Sequence, residues 1–354
     1  MFTTGVSNPA DCNLQLRVCG LTENSNFHRI EKMKVFLTGA TGFIGNHLVD
    51  ILLDRGAEIF ALVRDPAKAV WAHRRNVRLL RGDLFSIPPL PSKIDIVYHL
   101  AGKTKTHHRE DYYTVNQEGT ASLFRSLVAA RVSPRRVVYL SSLAAAGPSA
   151  SAEGIGESDP PRPVTPYGRS KLLAEEAALQ HKDRFPLTII RASAVYGPGD
   201  TDFLDFFKWI NRGVLPTVRA RKLVSLCYVR DLAEALDLCG RRDLPSGEIL
   251  NIADPRPVTW EELGQAAGRA LERRLRRVRI PMGIFYLASA LSELADRLKG
   301  KPGIFTRDKY TDLKQPGWVA NTEKARRLLA FHPRFDLESG LRETMAWYRE
   351  KNWL

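Results

Sequence analysis

The chain is poor in cysteine, and the four it has do not cluster. Cys12, Cys19, Cys227 and Cys239 form no C-x-x-C pair and show no zinc-ligand spacing. This excludes a disulfide-framed secreted domain and a structural zinc module, so free thiols in a reducing cytosol and no metal are expected. Long apolar runs are also missing. The most apolar segment, residues 280–291, is followed at once by Glu293, Asp296 and Arg297. A bilayer span needs about 20 apolar residues. The segment therefore reads as a packed amphipathic helix, a lid over a greasy substrate or a membrane-surface contact. Residues 1–32 are polar and aperiodic and lack the apolar core of a signal peptide. They are expected to form a disordered extension, with Met33 opening the first strand. There is no internal repeat and no acidic excess. Lys and Arg number 53 against 39 Asp and Glu, a net charge of +14. The basic residues are scattered except in the run Arg273-Arg274-Leu275-Arg276-Arg277-Val278-Arg279. No aromatic residue interleaves that run, so a nucleic-acid surface is not indicated.

What is present begins with Thr38-Gly39-Ala40-Thr41-Gly42-Phe43-Ile44-Gly45. It follows the apolar run Val35-Phe36-Leu37 and opens a pattern in which Ile44, Leu48, Ile51 and Leu52 recur at helix spacing. A strand, a glycine-rich turn and a helix together cradle a dinucleotide pyrophosphate. The glycines permit a tight turn, close approach of backbone to phosphate and close helix–strand packing, while the helix N-terminus offers free N–H groups. The spacing is G-x-x-G-x-x-G rather than the commoner G-x-G-x-x-G.

Further along, strand-like segments at 58–63, 77–80, 94–100, 136–140 and 187–190 alternate with helical patterns at 119–130 and 167–180. The alternation predicts an α/β fold with a doubly wound parallel sheet. The ligands of such sheets sit beyond the carboxyl ends of the strands. The last third, with Pro255, Pro257, Pro281, Pro302 and Pro316 between helical stretches, is less regular.

Tyr167-Gly168-Arg169-Ser170-Lys171 places a phenol and an ammonium four residues apart, on one face of a helix. An adjacent ammonium favours the phenolate and lowers a tyrosine pKa from about 10, so the phenol can exchange a proton near neutral pH. Ser141-Ser142 ends the fifth strand 25 residues earlier and opens a small-residue loop, where a hydroxyl can reach a substrate oxygen or cap a turn.

These segments, in this order, resemble the extended short-chain dehydrogenase/reductase family. Its members include nucleotide-sugar epimerases, dehydratases, 3β-hydroxysteroid dehydrogenases and dihydroflavonol-type reductases. The likeness runs from Met33 to about Trp353. It also takes in Gly82-Asp83-Leu84, His99-Leu100-Ala101-Gly102, Asn116-x-x-Gly119-Thr120, Arg191, Val195-Tyr196-Gly197-Pro198-Gly199, Val229-Arg230-Asp231 and Asn251-Ile252-Ala253. The resemblance implies a Rossmann-type domain at 33–190. It implies a smaller, mostly helical substrate-binding part at 191–354, interleaved with the sheet. Tyr167 becomes the acid/base, Lys171 its activator and ribose anchor, and Ser142 the group that orients the reacting oxygen. Thr38, Gly39, Thr41, Gly42, Phe43, Ile44 and Gly45 take the cofactor, as do Ser141, Arg191 and Ala194. Asp83 meets the adenine amino group with Leu84 beside the ring. Leu100, Ala101 and Gly102 line the cofactor, and Asn116 supports them from behind. Asp231 is expected to anchor the substrate part. A homodimer is implied, through two helices per subunit, one of them bearing Tyr167.

Three departures separate the branches of that family. Dehydratases place an Asp-Glu pair after the catalytic hydroxyl, where this chain has Leu143-Ala144. Nucleotide-sugar enzymes carry an asparagine where Ala194 stands, and often a diphosphate-binding arginine where Val224 stands, although Arg219, Arg221 and Lys222 lie nearby. NAD-specific members end the second strand with an acidic residue; here it ends Leu62-Val63-Arg64-Asp65. Arg64 suits a 2′-phosphate, so NADP(H) is favoured with NAD(H) as the alternative. The leading expectation is a ketone reductase or secondary-alcohol dehydrogenase acting on an apolar small molecule. The aromatic group Phe203, Phe206, Phe207 and Trp209 suits such a substrate or core packing equally. The alternatives are a nucleotide-sugar epimerase holding NAD and a non-catalytic dinucleotide-binding scaffold. His107 and His108 read as loop residues or substrate contacts.

Overall fold

The computed structural model describes residues 32–106, 108–217, 222–281, 283 and 307–354. The expected extension, apart from Lys32, lies outside the described residues. So do Cys12, Cys19, His107, Arg219, Arg221 and most of the apolar segment 280–291.

Seven parallel strands form one sheet. They are β1 (Lys34–Thr38), β2 (Glu58–Val63), β3 (Val77–Arg81), β4 (Ile96–His99), β5 (Arg136–Ser142), β6 (Leu187–Ala192) and a last strand, Glu248–Ile252. Their spatial order is last–β6–β5–β4–β1–β2–β3. Strand residues alternate between two cores, as the period of two demands. Val35, Leu37, Ile59, Ala61, Ile96 and Tyr98 enter one core, with Leu48 and Leu52 of helix α1 (Phe43–Asp54) and Leu232 and Leu236 of the helix Val229–Arg241. Phe36, Phe60, Val97, Val137 and Tyr139 enter the other, with Leu123 and Phe124 of the helix Gly119–Ala129 and Ala174 and Ala178 of the helix Pro166–Leu179. Each fully buried aliphatic or aromatic side chain contributes roughly 1.5–3 kcal/mol. A sheet covered on both faces in this way has its rigid, ligand-facing edge at the strand ends. A third core, around Phe207, Leu215, Leu226, Tyr228, Leu263 and Tyr348, is built by the segments after β6.

The sequence pattern located six of the sheet strands and missed the seventh. The strand Glu248–Ile252 pairs with β6, Asn251 beside Arg191, although its sequence registers only as a short motif. β5 and β6 run further than their apolar runs, to Ser142 and Ala192. The ladder continues through small residues in register, Ser141 with Arg191 and Ser142 with Ala192. β4 is shorter than expected. Ile94 stays outside it, because Asp95 turns to bond Lys34 through both backbone and carboxylate. β1 lies between β2 and β4 while the chain order reverses there, which opens a crevice at their carboxyl ends.

Candidate active site

A cavity of about 470 Å³ lies along those carboxyl ends, between the glycine turn and the Tyr167 helix. Gly39, Gly42, Phe43, Ile44 and Gly45 line one part of it. Gly39 has φ +77°, and a Cβ there would lie 2.5 Å from Ala101 N; one at Gly45 would lie 2.1 Å from Gly39 O. Neither position admits a side chain, so backbone alone faces the cavity. α1 starts at Gly42 with no side-chain cap and no acid in its first turn. Its free N–H groups and dipole are left for an anion.

Ser141, Ser142, Tyr167 and Lys171 form the opposite part of the cavity wall. Thr165 sets the start of the Tyr167 helix: its hydroxyl accepts from Gly168 N at 3.1 Å, and Pro166 occupies the first turn. Gly168 brings that helix against the Ser142 loop, since a Cβ there would stand 2.4 Å from Ala144 O. Ser142 Oγ accepts from Ala144 N at 3.2 Å and lines the same wall as the Tyr167 phenol. The lowered phenol expected from the Y-x-x-x-K spacing is not found: burial lifts the Tyr167 pKa to about 12, Ser142 lowers it, and Asp202 and Asp312 raise it further, with no part played by Lys171. Lys171 Nζ donates to Leu140 O at 2.8 Å and sits 4.4 Å from the Tyr139 ring centroid. Burial lowers its pKa to about 7, opposed by Glu175.

A second layer holds these groups. Asn116 lies in a π-helical segment, Tyr113–Glu118, that the sequence did not signal. Such segments recur at functional sites. Asn116 accepts from Lys103 N at 2.7 Å and donates to Ser170 Oγ at 2.9 Å, tying the loop after β4 to the Tyr167 helix. His99 bridges Thr38 Oγ1 (2.7 Å) and Thr120 Oγ1 (2.9 Å). Thr120 spends its proton on Asn116 O at 2.6 Å, so His99 Nε2–H is assigned as the donor to Thr120 and Nδ1 as the acceptor from Thr38. Burial first, then Lys171, lowers the His99 pKa to about 3, so the ring stays neutral.

Leu100, Gly102, Asn116 and Ala194 also line the cavity, whereas Thr38, Thr41, Arg64, Asp83, Leu84, Ala101 and Arg191 do not. Thr38 and Ala101 bond each other behind the wall. Leu84 packs in the core against Gly119, and Asp83 Oδ1 accepts from Phe85 N and Ser86 N in its own turn. Arg191 departs from its expected cofactor role. It is 3% exposed and holds Glu175 through Nε and Nη2, the latter at 2.7 Å. Glu175 accepts from Ser141 Oγ at 2.5 Å, so the ion pair braces the strand behind Lys171. Sequence reasoning missed Glu175, although it lies four residues beyond Lys171 on the same helix. It also missed Ser193, Lys103, Lys105, Tyr112, Asp200, Asp202, Asp308 and Asp312, all on the cavity wall. Lys103 pairs with Asp111 at 2.5 Å, and Lys105 pairs with Asp202. Burial lifts the Asp200 pKa to about 6. Val224 is buried in the third core, and Leu143 is buried in a small cluster with Ala146, Ala253 and Ala320. Asp231 accepts from Arg334 N and Phe335 N, anchoring the C-terminal segments as expected. Among the described residues no group of three or more His, Cys, Asp or Glu can hold a metal.

Residues 35–253 match the NAD dependent epimerase/dehydratase family. A ceramide reductase of Caulobacter vibrioides is 31% identical over 327 residues, 90% of this chain and 96% of that one. A 4-hydroxy-2-methyl-3-oxo-4-farnesyl-3,4-dihydroquinoline-1-oxide ketoreductase of Stigmatella aurantiaca is 27% identical, over 64% of this chain and 70% of that one. Among solved structures, MoeE5 in complex with UDP-glucuronic acid and NAD superimposes with TM-score 0.69 at 27% identity, covering 90% of this chain and 99% of that one. The chain belongs to the NAD dependent epimerase/dehydratase family, the extended short-chain dehydrogenase/reductases. It is an NAD(P)-dependent oxidoreductase with a Rossmann-like sheet and a smaller C-terminal mixed region.

The cavity fits the dinucleotide that this family uses. The uncapped α1 terminus suits the pyrophosphate, and side-chain-free Gly39 and Gly45 allow close approach. Ser193 Oγ is buried in the wall with no hydrogen-bond partner. A buried hydroxyl without a partner is costly until a ligand supplies one.

Proposed function

We propose that the protein is a reductase or secondary-alcohol dehydrogenase for a lipid-like ketone or alcohol, with NADP(H) preferred to NAD(H). The observation that carries this reading is that Ser142, Tyr167 and buried Lys171 share one wall of the cavity. When bound, the cofactor supplies or accepts a hydride at nicotinamide C4. In the reductive direction, Ser142 and Tyr167 hold the substrate oxygen, and Tyr167 O–H gives it a proton. A phenol near pKa 12 keeps that proton until transfer. Below about pH 7, where Lys171 is protonated, its ammonium then offsets the phenolate. Leu143 and Ala144 provide no acid or base for a dehydration.

An apolar substrate is supported by the names of the relatives and by Val224, which supplies no donor for a diphosphate. NADP(H) is supported by Arg64. It is exposed just beyond β2 and makes no side-chain ion pair among the described residues. The neighbouring Asp65 is spent capping the turn Pro66–Lys68. The proposal includes a homodimer formed through the adjacent helices Gly119–Ala129 and Pro166–Leu179. The likeness to MoeE5 favours a second reading, a nucleotide-sugar epimerase that retains NAD. Tyr167→Phe tests the leading one. It is expected to cost about 100-fold or more in ketone reduction while NADPH binding persists. Undiminished turnover would remove Tyr167 from its role, and binding without turnover in the wild type would leave only a scaffold.

A further inference from the structure

We propose that the strand Arg276–Arg279, with the end of the helix Leu204–Asn211, is a docking surface for an anionic lipid bilayer. The strand pairs in parallel with Val214–Thr217, and all four of its residues are exposed. Five arginines fall within the seven residues 273–279. Arg277 pairs with Glu261 at 2.7 Å, and Arg273 bonds Asn211 Oδ1 at 3.3 Å. Arg274, Arg276 and Arg279 make no side-chain ion pair or hydrogen bond among the described residues. Like charges fixed along one strand repel, and the protein offers them little compensation. A surface of opposite charge supplies it.

The apolar groups beside them favour a bilayer over other polyanions. Val278, on the strand face it shares with Arg276, is 41% exposed, and Trp209 is 45% exposed. Trp209 is carried by the helix whose last residue, Asn211, Arg273 bonds. Indole rings and arginines are suited to the headgroup boundary. In sequence, Arg279 runs directly into the most apolar stretch of the chain, residues 280–291. A nucleic acid would gain little from these apolar groups, and the strand offers no aromatic platform for its bases. The helix that carries Trp209 begins two residues after Asp202, which lines the cavity. A docked enzyme would thus meet a membrane-dissolved substrate close to its site. Only this last point rests on the proposed lipid-like substrate.

The test is sedimentation of the full-length protein with phosphatidylcholine vesicles, with or without phosphatidylglycerol, in the absence of substrate. Binding to the anionic vesicles alone, weakened by salt, is expected. Replacing Arg274, Arg276 and Arg279 together by Ser should lower the partition coefficient roughly 100-fold. None of the three lines the cavity, so the variant should keep the wild-type melting temperature and NADPH affinity. Equal binding to both vesicle types, or undiminished binding by a folded triple variant, would overturn the proposal. So would binding to a duplex oligonucleotide in place of vesicles. A protein that binds anionic vesicles but reduces no ketone would sustain the docking surface and remove the reductase reading.

Discussion

At the level of single residues, Lys171 shows how burial, rather than sequence spacing, sets the chemistry. The Y-x-x-x-K spacing announced a phenol and an ammonium on one helix face, but it contained nothing about Glu175, Leu140 or the Tyr139 ring. Leu140 O and the Tyr139 ring contact the ammonium, and burial brings its pKa to about 7 against the opposing charge of Glu175. The ordinary lysine value is about 10.4. Between those two values the unfolded chain binds the proton and the folded one does not. Stability contributed by this group therefore rises with pH over that window. The difference in unfolding free energy between wild type and Lys171→Met should carry this rise, at up to about 1.4 kcal/mol per pH unit. Urea titrations from pH 7 to about pH 9, below the tyrosine range, measure it. A difference that stays flat would show that Lys171 titrates normally.

Arg64 is the other residue whose role rests on its surroundings. Among the described residues it makes no side-chain ion pair, which leaves the guanidinium available to a 2′-phosphate. Replacing it by Glu should weaken NADPH by roughly 10–100-fold, the loss of one or two charge-assisted bonds, with little change for NADH. Parallel calorimetric titrations decide this, and an equal loss for both cofactors would assign Arg64 no part in the preference.

At the level of elements, the glycine turn and α1 were legible because every feature they need is local. The strand, the turn residues and the helical period are contiguous in sequence. The close approach at Gly168 was not legible, since its partner, Ala144, lies 24 residues away. Gly168→Val should force the Tyr167 helix away from the Ser142 loop. It is expected to lose most turnover and to melt earlier, because the clash is with backbone that cannot swing aside. A variant with wild-type kcat and melting temperature would show that the helix and loop need not touch. The π-helical turn holding Asn116 escaped notice for a related reason. Its ties run from Asn116 to Lys103, 13 residues earlier, and to Ser170, 54 residues later.

At the level of the whole molecule, six sheet strands could be read from alternating patterns because each carries its own apolar run. The seventh, Glu248–Ile252, is defined only by pairing with β6. Arg191 illustrates the same limit at the site. Its place in the sequence suggested the cofactor, yet β6 and the Tyr167 helix bring it to Glu175 instead. The half of the cavity lined by Gly39, Gly42, Gly45, Ser142, Tyr167 and Lys171 was legible in the sequence. The half formed by Lys105, Asp202, Asp308 and Asp312 was not, because it is assembled from three separated segments that carry no shared motif.

The most direct measurement is to offer the purified protein a long-chain keto-lipid in mixed micelles with NADPH, and separately UDP-sugars with no added cofactor. The account predicts that NADPH is consumed in proportion to the alcohol formed, faster than NADH, and that the UDP-sugars are unchanged. Interconversion of UDP-sugars by protein that retains NAD from purification, with no ketone reduced, would contradict it.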